Sequence, residues 1–159
     1  MDSDVEGFLK ENFTGVLGFQ LDGSVQVAPI HYVVDEDGSL LFKSRRDSDH
    51  VKSLERDGRA AMSVYSHAST YDKKAGVQMK GEMLKISSPE EMNRGVTLYS
   101  EVFEGAGPKF DPIEVLIKDD APSTLYRFVI REYKFIDGWS DRFDRAYRSV
   151  KDEQKQGVR

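Results

Sequence analysis

The chain has 159 residues, with 28 acidic against 23 basic side chains, so its formal net charge at pH 7 is −5. It contains no cysteine, which excludes disulfides, thiol nucleophiles and cysteine-ligated zinc or iron–sulfur centres. This length predicts a single domain, which we place at residues 1–150, followed by a polar tail at 151–159.

The charge balance and hydropathy also limit the partners of the protein. An acidic total argues against a protein that coats nucleic acid, because binding a polyanion needs a cationic surface. No stretch approaches the roughly 18 apolar residues of a membrane span, and the acidic start Met1-Asp2-Ser3-Asp4 does not resemble a secretory signal. We therefore expect a cytoplasmic protein that binds neither nucleic acid nor a membrane.

The first part of the chain predicts a helix and then three antiparallel strands. Ser3 and Glu6 have the spacing of a capping box at the start of a short amphipathic helix. From Thr14 the apolar period changes to two, and Asp22-Gly23 predicts a hairpin turn into a long second strand at residues 24–34. A further turn at 35–38 leads into a strand at 39–44, so these three strands are expected to form a meander.

Pro29 interrupts the second of these strands. A proline cannot donate a ladder hydrogen bond, so the strand is expected to bulge or to lie at a sheet edge there. A barrel corner explains such an irregularity, and so does the close approach of a ligand.

The middle of the chain alternates helices and strands. Asp47 or Ser48 is predicted to cap a short helix that ends at Asp57-Gly58, and strands follow at 59–67 and 77–86. Ser88-Pro89-Glu90-Glu91 is the strongest helix start in the chain, since it combines a serine cap, a proline at the first helical position and glutamate at the third.

The last part of the chain predicts one more long strand and a final helix. Residues 113–117 are apolar but too short to separate helix from strand, and residues 125–137 alternate as a strand. Ser140 can cap a last helix, on which Arg142, Arg145 and Arg148 would form a solvated face. The sum is a mainly β protein with helices, in which about six antiparallel strands pair with their sequence neighbours to form a small closed or split β-barrel.

A cationic cluster lies between the third strand and the helix that follows. Lys43, Arg45, Arg46 and Lys52 accompany the hydroxyls of Ser44 and Ser48 and the imidazole of His50. A helix N-terminus with hydroxyls and cations beside it predicts a phosphate site. The alternative is a solvated turn that Asp47 and Asp49 partly neutralise.

Other candidate sites have less support. His31, His50 and His67 lack the spacing of a metal site, so none is predicted. No Gly-x-Ser-x-Gly element supports a serine hydrolase. Trp139 is interpreted as a packing or dimer-interface residue, with a flavin or substrate contact as the alternative.

The order of these parts resembles the FMN-binding split-barrel family, the pyridoxamine 5'-phosphate oxidase-like proteins, over about 130 residues. The matching segments, none of them specific alone, are Thr14-Gly15-Val16-Leu17-Gly18, Asp22-Gly23, Ala28-Pro29-Ile30-His31-Tyr32, Asp37-Gly38, Leu41-Phe42-Lys43-Ser44, Ser48-Asp49-His50-Val51-Lys52-Ser53-Leu54, Gly58-Arg59-Ala60 and Val77-Gln78-Met79-Lys80-Gly81-Glu82.

The resemblance implies a homodimer that holds FMN in a groove between its two subunits and acts on a small-molecule substrate or electron donor. It places the isoalloxazine ring against Pro29, Ile30, His31 and Tyr32, with Gln78 nearby. It places the phosphate at Lys43, Ser44, Ser48, Asp49, His50 and Lys52.

Two departures from the family pattern matter for function. Family members often carry Ser-Arg-Lys at the helix start, whereas this chain has Ser48-Asp49-His50, and an aspartate there repels phosphate. The C-terminal Arg-x-His-Asp-Arg element of true pyridoxamine phosphate oxidases is matched only loosely at 139–145, so the resemblance does not imply that activity. The hypothesis is an FMN-dependent oxidoreductase of unknown substrate with no catalytic residue assigned. The alternative is a non-catalytic binding or stress-response module that holds haem, a deazaflavin or nothing.

Overall fold

The structure is a computed structural model that describes residues 1–67, 69–70, 74–137 and 148–149. The helices are α1 (Ser3–Glu11), α2 (Asp49–Arg56), α3 (Pro89–Val102) and α4 (Ile113–Leu116), with a 3-10 turn at Gly107–Lys109. The strands are β1 (Thr14–Leu21), β2 (Ser24–His31), β3 (Val33–Val34), β4 (Leu40–Arg45), β5 (Arg59–Tyr65), β6 (Ala75–Lys85), β7 (Ser123–Asp137) and β8 (Arg148–Ser149).

The described strands form one antiparallel sheet in the order β2-β1-β5-β6-β7-β4-β3, with β8 paired to β7. Tyr32 alone separates β2 from β3 in sequence, yet these strands lie at opposite ends of that order. The sheet must therefore curl round until its two ends meet. This confirms the predicted class, a mainly β split barrel decorated by helices.

The pairing differs from the predicted meander. The strands were expected to pair with their sequence neighbours, but β1 also pairs with β5, and β4 pairs with β7. The long second strand is divided, because the Tyr32 backbone N–H bonds to the carbonyl of Phe13 and the Tyr32 ring is fully buried. The chain thus leaves one end of the sheet at Tyr32 and joins the other end.

Pro29 lies in β2, which is an edge strand of the sheet. Of the two alternatives predicted for Pro29, a bulge or a sheet edge, the edge position is therefore the one observed. Its strand keeps a regular register along its whole length, with Pro29 opposite Val16, so no bulge is present there. The irregularity falls instead between Lys80 and Gly81 on β6. A Cβ on Gly81 would lie 2.1 Å from the Val129 carbonyl oxygen, so this close strand approach requires glycine.

Two predicted helix caps and one predicted turn are confirmed, and one helix cap is corrected. Ser48 and Ser88 are the N-cap residues of α2 and α3, and the Asp22-Gly23 turn has positive φ at both residues, as its hairpin type requires. The cap of α1 is Asp2 rather than Ser3, because the Asp2 carboxylate accepts a hydrogen bond from the N–H of Asp4.

The C-terminal prediction is only partly covered by the structure. Arg148 and Ser149 were expected in a helix, but they pair as a strand with Tyr133 and Glu132 on the side of β7 that β4 leaves open. Trp139, the helix start at Ser140, and Arg142 and Arg145 lie outside the described residues, as does the tail at 151–159.

Two apolar cores position the elements. The larger fills the barrel and includes Leu17, Phe42 and Phe128, and the smaller packs α3 and α4 against the other side of β4 and β7. A Cβ on Gly95 of α3 would lie 2.6 Å from the Leu125 side chain, so this glycine lets α3 pack closely on β7. None of the described helices is long and apolar enough to cross a membrane.

Candidate functional site

The outer face of the barrel carries a shallow groove across β1, β5 and β6. Strand register sets Pro29, Val16, Ser63 and Gln78 in one row across four strands. The groove has a volume of about 360 Å³, and its lining includes Val16, Gly18, Val27, Ala61, Ser63 and Gln78.

The floor of this groove is nearly flat because its side chains are small. Gly18 faces Ala61 across the β1–β5 pair, and a Cβ added to Gly18 would make only an ordinary 3.7 Å contact. The sequence carries a signal for this surface, since Gly18, Ala61 and Ser63 occupy one face of strands whose other face is large and apolar. We did not select these three residues from the sequence as site residues.

The same outer face exposes large apolar side chains. Val25 is 83% exposed, Val27 is 68% exposed and Tyr65 is 55% exposed. Single exposed apolar residues are ordinary, but three around one groove form a surface suited to a partner.

The four predicted ring contacts, three on β2 and Tyr32 directly after it, divide between the two faces of the sheet. Pro29 and His31 lie on the outer face, where Nδ1 of His31 is 3.1 Å from Oγ1 of Thr14. The side chains of Ile30 and Tyr32 are buried in the barrel core, and the Tyr32 hydroxyl donates to the carbonyls of Leu9 and Asn12. A ring on the outer face can therefore contact Ile30 and Tyr32 only through their backbones.

The predicted phosphate residues Ser44, Ser48 and His50 come together at the start of α2. Nε2 of His50 lies 2.6 Å from Oγ of Ser44 and 3.2 Å from Oγ of Ser48, and the two hydroxyls are 3.1 Å apart. The imidazole packs against the rings of Phe19 and Phe42. Burial lowers the pKa of His50, although the Asp49 carboxylate opposes this. The imidazole is therefore neutral at pH 7.

The cations expected beside this cluster are engaged elsewhere. Nζ of Lys43 donates to the carbonyl of Lys109 at 2.7 Å and lies 4.5 Å from the centre of the Phe110 ring. Lys52 pairs with Asp49 at 3.2 Å. Both groups of this last pair are exposed, so the bond contributes at most about 1 kcal/mol and exchanges readily.

Two arginines from the cluster differ from each other. Arg45 forms a two-point ion pair with Asp47, which raises the pKa of Arg45 and lowers that of Asp47. The Arg46 guanidinium makes neither a hydrogen bond nor an ion pair within the described part of the chain. Arg46 is thus the cation of this cluster that remains available to a ligand.

Aromatic residues from α3 and its following loop surround the end of β2. The Phe103 ring lies 5.8 Å from the rings of both His31 and Phe13 and 5.3 Å from that of Tyr99. Tyr99 and Phe103 are four residues apart, which is the spacing of one helical face, and nothing in that spacing connects them with His31. Their proximity depends on tertiary packing, which no local pattern records.

The groove and the hydroxyl–imidazole cluster are separate within one chain. No hydrogen bond, ion pair or ring contact among residues 1–67, 69–70 and 74–137 joins them. The same ranges contain no group of three acidic or histidine side chains arranged for a metal ion.

Comparison with known proteins identifies the fold. A family model described as pyridoxamine 5'-phosphate oxidase matches residues 1–137. No curated protein matches the chain in sequence. Among solved structures, a conserved hypothetical protein from Mycobacterium tuberculosis has a TM-score of 0.69 and 22% identity, covering 86% of this chain and 84% of that one.

Two further structures have the same fold and bind different cofactors. A haem-binding protein from Mycobacterium smegmatis has a TM-score of 0.70 and 14% identity over 94% of this chain and 59% of that one. An FAD-binding protein from Mesorhizobium loti has a TM-score of 0.62 and 16% identity over 84% of this chain and 92% of that one. At such identities the likeness is one of fold alone.

Proposed function

The chain belongs to the pyridoxamine 5'-phosphate oxidase-like family of split barrels, and on that premise we propose that it is a homodimeric flavoprotein oxidoreductase that binds FMN. The observation that carries the proposal is the flat groove on the outer face, with Gly18 and Ala61 at its floor and the Gln78 amide at its edge. A planar, largely apolar ring needs a surface of this kind.

The residues on the outer face fit the ring of a flavin. The missing side chain of Gly18 leaves space directly over the sheet, and Val16 and Val27 supply apolar contact beside it. The amide of Gln78 can both donate and accept hydrogen bonds, which suits the polar edge of a flavin ring. FMN bound here would supply the redox chemistry, while the protein orients the ring and shields it from water.

The start of α2 suits the phosphate end of the cofactor. The backbone N–H groups of Asp49 and His50 make no hydrogen bond within the described residues, and the hydroxyls of Ser44 and Ser48 lie beside them. Such a set binds anions by hydrogen bonding and by the helix dipole. We propose that Lys52 leaves Asp49 to join this site when phosphate binds.

A second copy of the chain would complete the site. The exposed side chains of Val25, Val27 and Tyr65 surround the groove, and burying them against a symmetric partner removes apolar surface from water. The dimer also explains how a groove and an anion site that do not touch within one chain can serve one cofactor. The substrate or electron donor would be a small molecule that reaches the exposed side of the ring.

The test is a visible spectrum of the purified protein together with a titration of FMN followed by quenching of its fluorescence. We expect absorption bands of a bound flavin, or saturable quenching at micromolar FMN. A Gly18→Leu variant fills the groove and should abolish binding, whereas Gly18→Ala fits the available space and should retain most of it.

The same spectrum separates the alternatives. A strong band near the blue end of the visible range after adding haem, with no response to FMN, would favour a haem-binding module over a flavoprotein. A colourless protein that responds to neither ligand would overturn the proposal.

A further inference from the structure

A second pocket lies on the other side of α2, between this helix and the beginning of β7. It has a volume of about 260 Å³, and Val51, Leu54 and Ala121 form its apolar walls, with Tyr126 and Arg46 also lining it. A single water molecule occupies about 30 Å³ in the liquid. The pocket therefore has room for an organic molecule the size of one ring.

Tyr126 brings an unpaired hydroxyl to this pocket. Its side chain stacks on Phe42 at 5.8 Å, and the residue is only 3% exposed. The hydroxyl makes no hydrogen bond with any described residue. Among the described residues, every fully buried side-chain oxygen has a hydrogen-bond partner, so an oxygen without a partner cannot be fully buried. The Tyr126 hydroxyl is therefore not fully buried, and the residue that carries it lines the pocket.

Arg46 brings a positively charged side chain to the same pocket. The backbone N–H of Arg46 bonds to the carbonyl of Pro122 at 3.0 Å, which fixes the residue at the pocket mouth. Both residues line the same pocket. Burial raises the pKa of Tyr126, the Arg46 guanidinium acts to lower it, and the Glu55 carboxylate acts to raise it. The hydroxyl and the guanidinium can both donate hydrogen bonds to one ligand.

The other charged groups around the pocket do not cancel the positive charge that Arg46 brings to it. Lys85 donates to Asp119 at 2.7 Å, so these two largely neutralise each other. Lys118 adds a cation at the rim, and Glu55 adds one carboxylate. Of the charged groups that line the pocket, two cations and one anion therefore remain outside an ion pair.

We propose that this pocket binds a small monocarboxylate with an apolar body, whose carboxylate accepts hydrogen bonds from Arg46 and Tyr126 while its body packs against Val51, Leu54 and Ala121. Carboxylate is favoured over phosphate because the pocket walls are apolar and Glu55 stands at the rim, where a doubly charged group would be repelled more strongly. A charge-assisted hydrogen bond from a guanidinium is the strongest contact such a site can offer.

This site is distinct from the proposed flavin site. The flavin groove lies on the outer face of β1, β5 and β6, and the hydroxyl–imidazole cluster lies between β4 and the start of α2. The pocket shares neither the groove residues nor the side chains of Ser44, Ser48 and His50. The proposal therefore stands or fails independently of flavin binding.

The experiment compares benzoate with its neutral isostere benzamide and with inorganic phosphate. Binding to the full chain is followed by calorimetry and by the NMR signals of tyrosines labelled in the ring, with Tyr126 assigned from Tyr126→Phe. We expect benzoate to bind at least tenfold more tightly than either comparison compound and to move the Tyr126 signals.

Variants then test the two donors. Arg46→Gln and Tyr126→Phe should each weaken benzoate binding about tenfold, whereas Arg59→Gln, which removes an exposed cation at the start of β5, should leave it unchanged. The hydroxyl of Tyr126 has no partner among the described residues, so Tyr126→Phe should keep the unfolding midpoint of the parent. This separates lost binding from lost structure.

Three results would overturn the proposal. Equal binding of benzoate and benzamide would show that no anion site is present. Equal binding of phosphate would show that the apolar walls play no part. Displacement of bound FMN by benzoate would place the carboxylate in the flavin site.

A different outcome separates the two proposals. A protein that binds benzoate but no FMN would support this pocket and contradict only the proposed function.

Discussion

The hydroxyl of Tyr99 donates a 2.6 Å hydrogen bond to the carbonyl oxygen of His31 and so joins α3 to the end of β2. The same hydroxyl oxygen accepts a 3.0 Å bond from the backbone N–H of Lys43 on β4. Since β2 and β4 are not neighbours in the sheet order, Tyr99 bridges the place where the curled sheet closes. Burial raises the pKa of Tyr99, so the phenol remains a donor at every ordinary pH.

The variant Tyr99→Phe should destabilise the protein. It leaves the His31 carbonyl and the Lys43 N–H without their partner at a buried position, which costs roughly 2 kcal/mol. Urea unfolding followed by circular dichroism measures the loss. Tyr65→Phe removes an exposed hydroxyl and should change the unfolding free energy by less than about 0.5 kcal/mol. Equal effects of both variants would show that the bridge does not contribute.

Asp35 is the buried centre of an ion network that holds α3 against the sheet. Its side chain is fully buried and accepts hydrogen bonds from Arg94 and Arg127, each at 2.9 Å, and from the N–H of Glu36. Asp35→Asn removes the counter-charge of Arg94 and the buried partner of Arg127, and should lower the unfolding free energy by about 3 kcal/mol. Asp37→Asn, at an exposed partner of Arg127, should cost less than about 1 kcal/mol. A smaller loss for Asp35→Asn than for Asp37→Asn would contradict this assignment.

The same network predicts how stability changes in acid. Burial acts to raise the pKa of Asp35, but hydrogen bonds from Arg94 and Glu36 and the two guanidinium charges outweigh it, so the pKa lies below its usual range. A carboxylate with a lowered pKa stabilises the fold above its unfolded pKa of about 3.9, and this contribution is lost as the pH falls through the folded value. Urea midpoints between pH 6 and pH 2.5 should therefore fall less steeply for Asp35→Asn than for the parent. Parallel curves would exclude this role.

Local sequence patterns predicted the individual helices, strands and turns better than they predicted which strands pair in the sheet. The Ser88-Pro89 start of α3 and the Asp22-Gly23 hairpin depend on residues a few positions apart, so the sequence records them directly. The pairing of Val16 with Ser63 does not follow from any neighbouring residues. The break at Tyr32 was also hidden, because its apolar side chain continues the strand pattern and becomes buried.

The candidate site shows the same limit. Ser44, Ser48 and His50 lie within seven consecutive residues, from the end of β4 to the first turn of α2, so their meeting could be predicted from spacing. The direction of long side chains could not be predicted from spacing. The Lys43 side chain, for example, donates to the carbonyl of Lys109 and not to the cluster at the start of α2. The groove floor is formed by Gly18, Ala61 and Ser63. Two of these residues have no polar side-chain atom, so nothing in the sequence marked them as site residues.

A charge on the outer face should prevent dimer formation and flavin binding together. Val27→Glu places a carboxylate at a position that is 68% exposed in one chain and that we propose is buried in the dimer. Analytical ultracentrifugation should then show a monomer near 18.1 kDa, whereas we expect a dimer for the parent, and FMN fluorescence should no longer be quenched. Val102→Glu adds the same charge to an exposed valine on α3 and should leave both measurements unchanged. A dimeric Val27→Glu protein would place the interface elsewhere.

Asp49 places a negative charge in the first turn of α2, where we propose that the phosphate of FMN binds. Asp49 is exposed and holds Lys52 at 3.2 Å, so it both repels an anion and occupies a cation that could bind one. Asp49→Lys removes both effects and should tighten FMN binding about five- to tenfold. It should also lower the unfolding free energy by up to about 1 kcal/mol, because an acidic residue in the first helical turn is favoured by the helix dipole.

Two controls separate a local effect from a change in overall charge. Asp57→Lys makes the same charge change at the opposite end of α2 and should leave FMN affinity unchanged. Riboflavin lacks the phosphate, so its affinity should be the same for the parent and for Asp49→Lys. If Asp57→Lys or riboflavin shows the same tightening, the phosphate does not lie at α2, since only a group next to Asp49 can distinguish the two ends of one short helix.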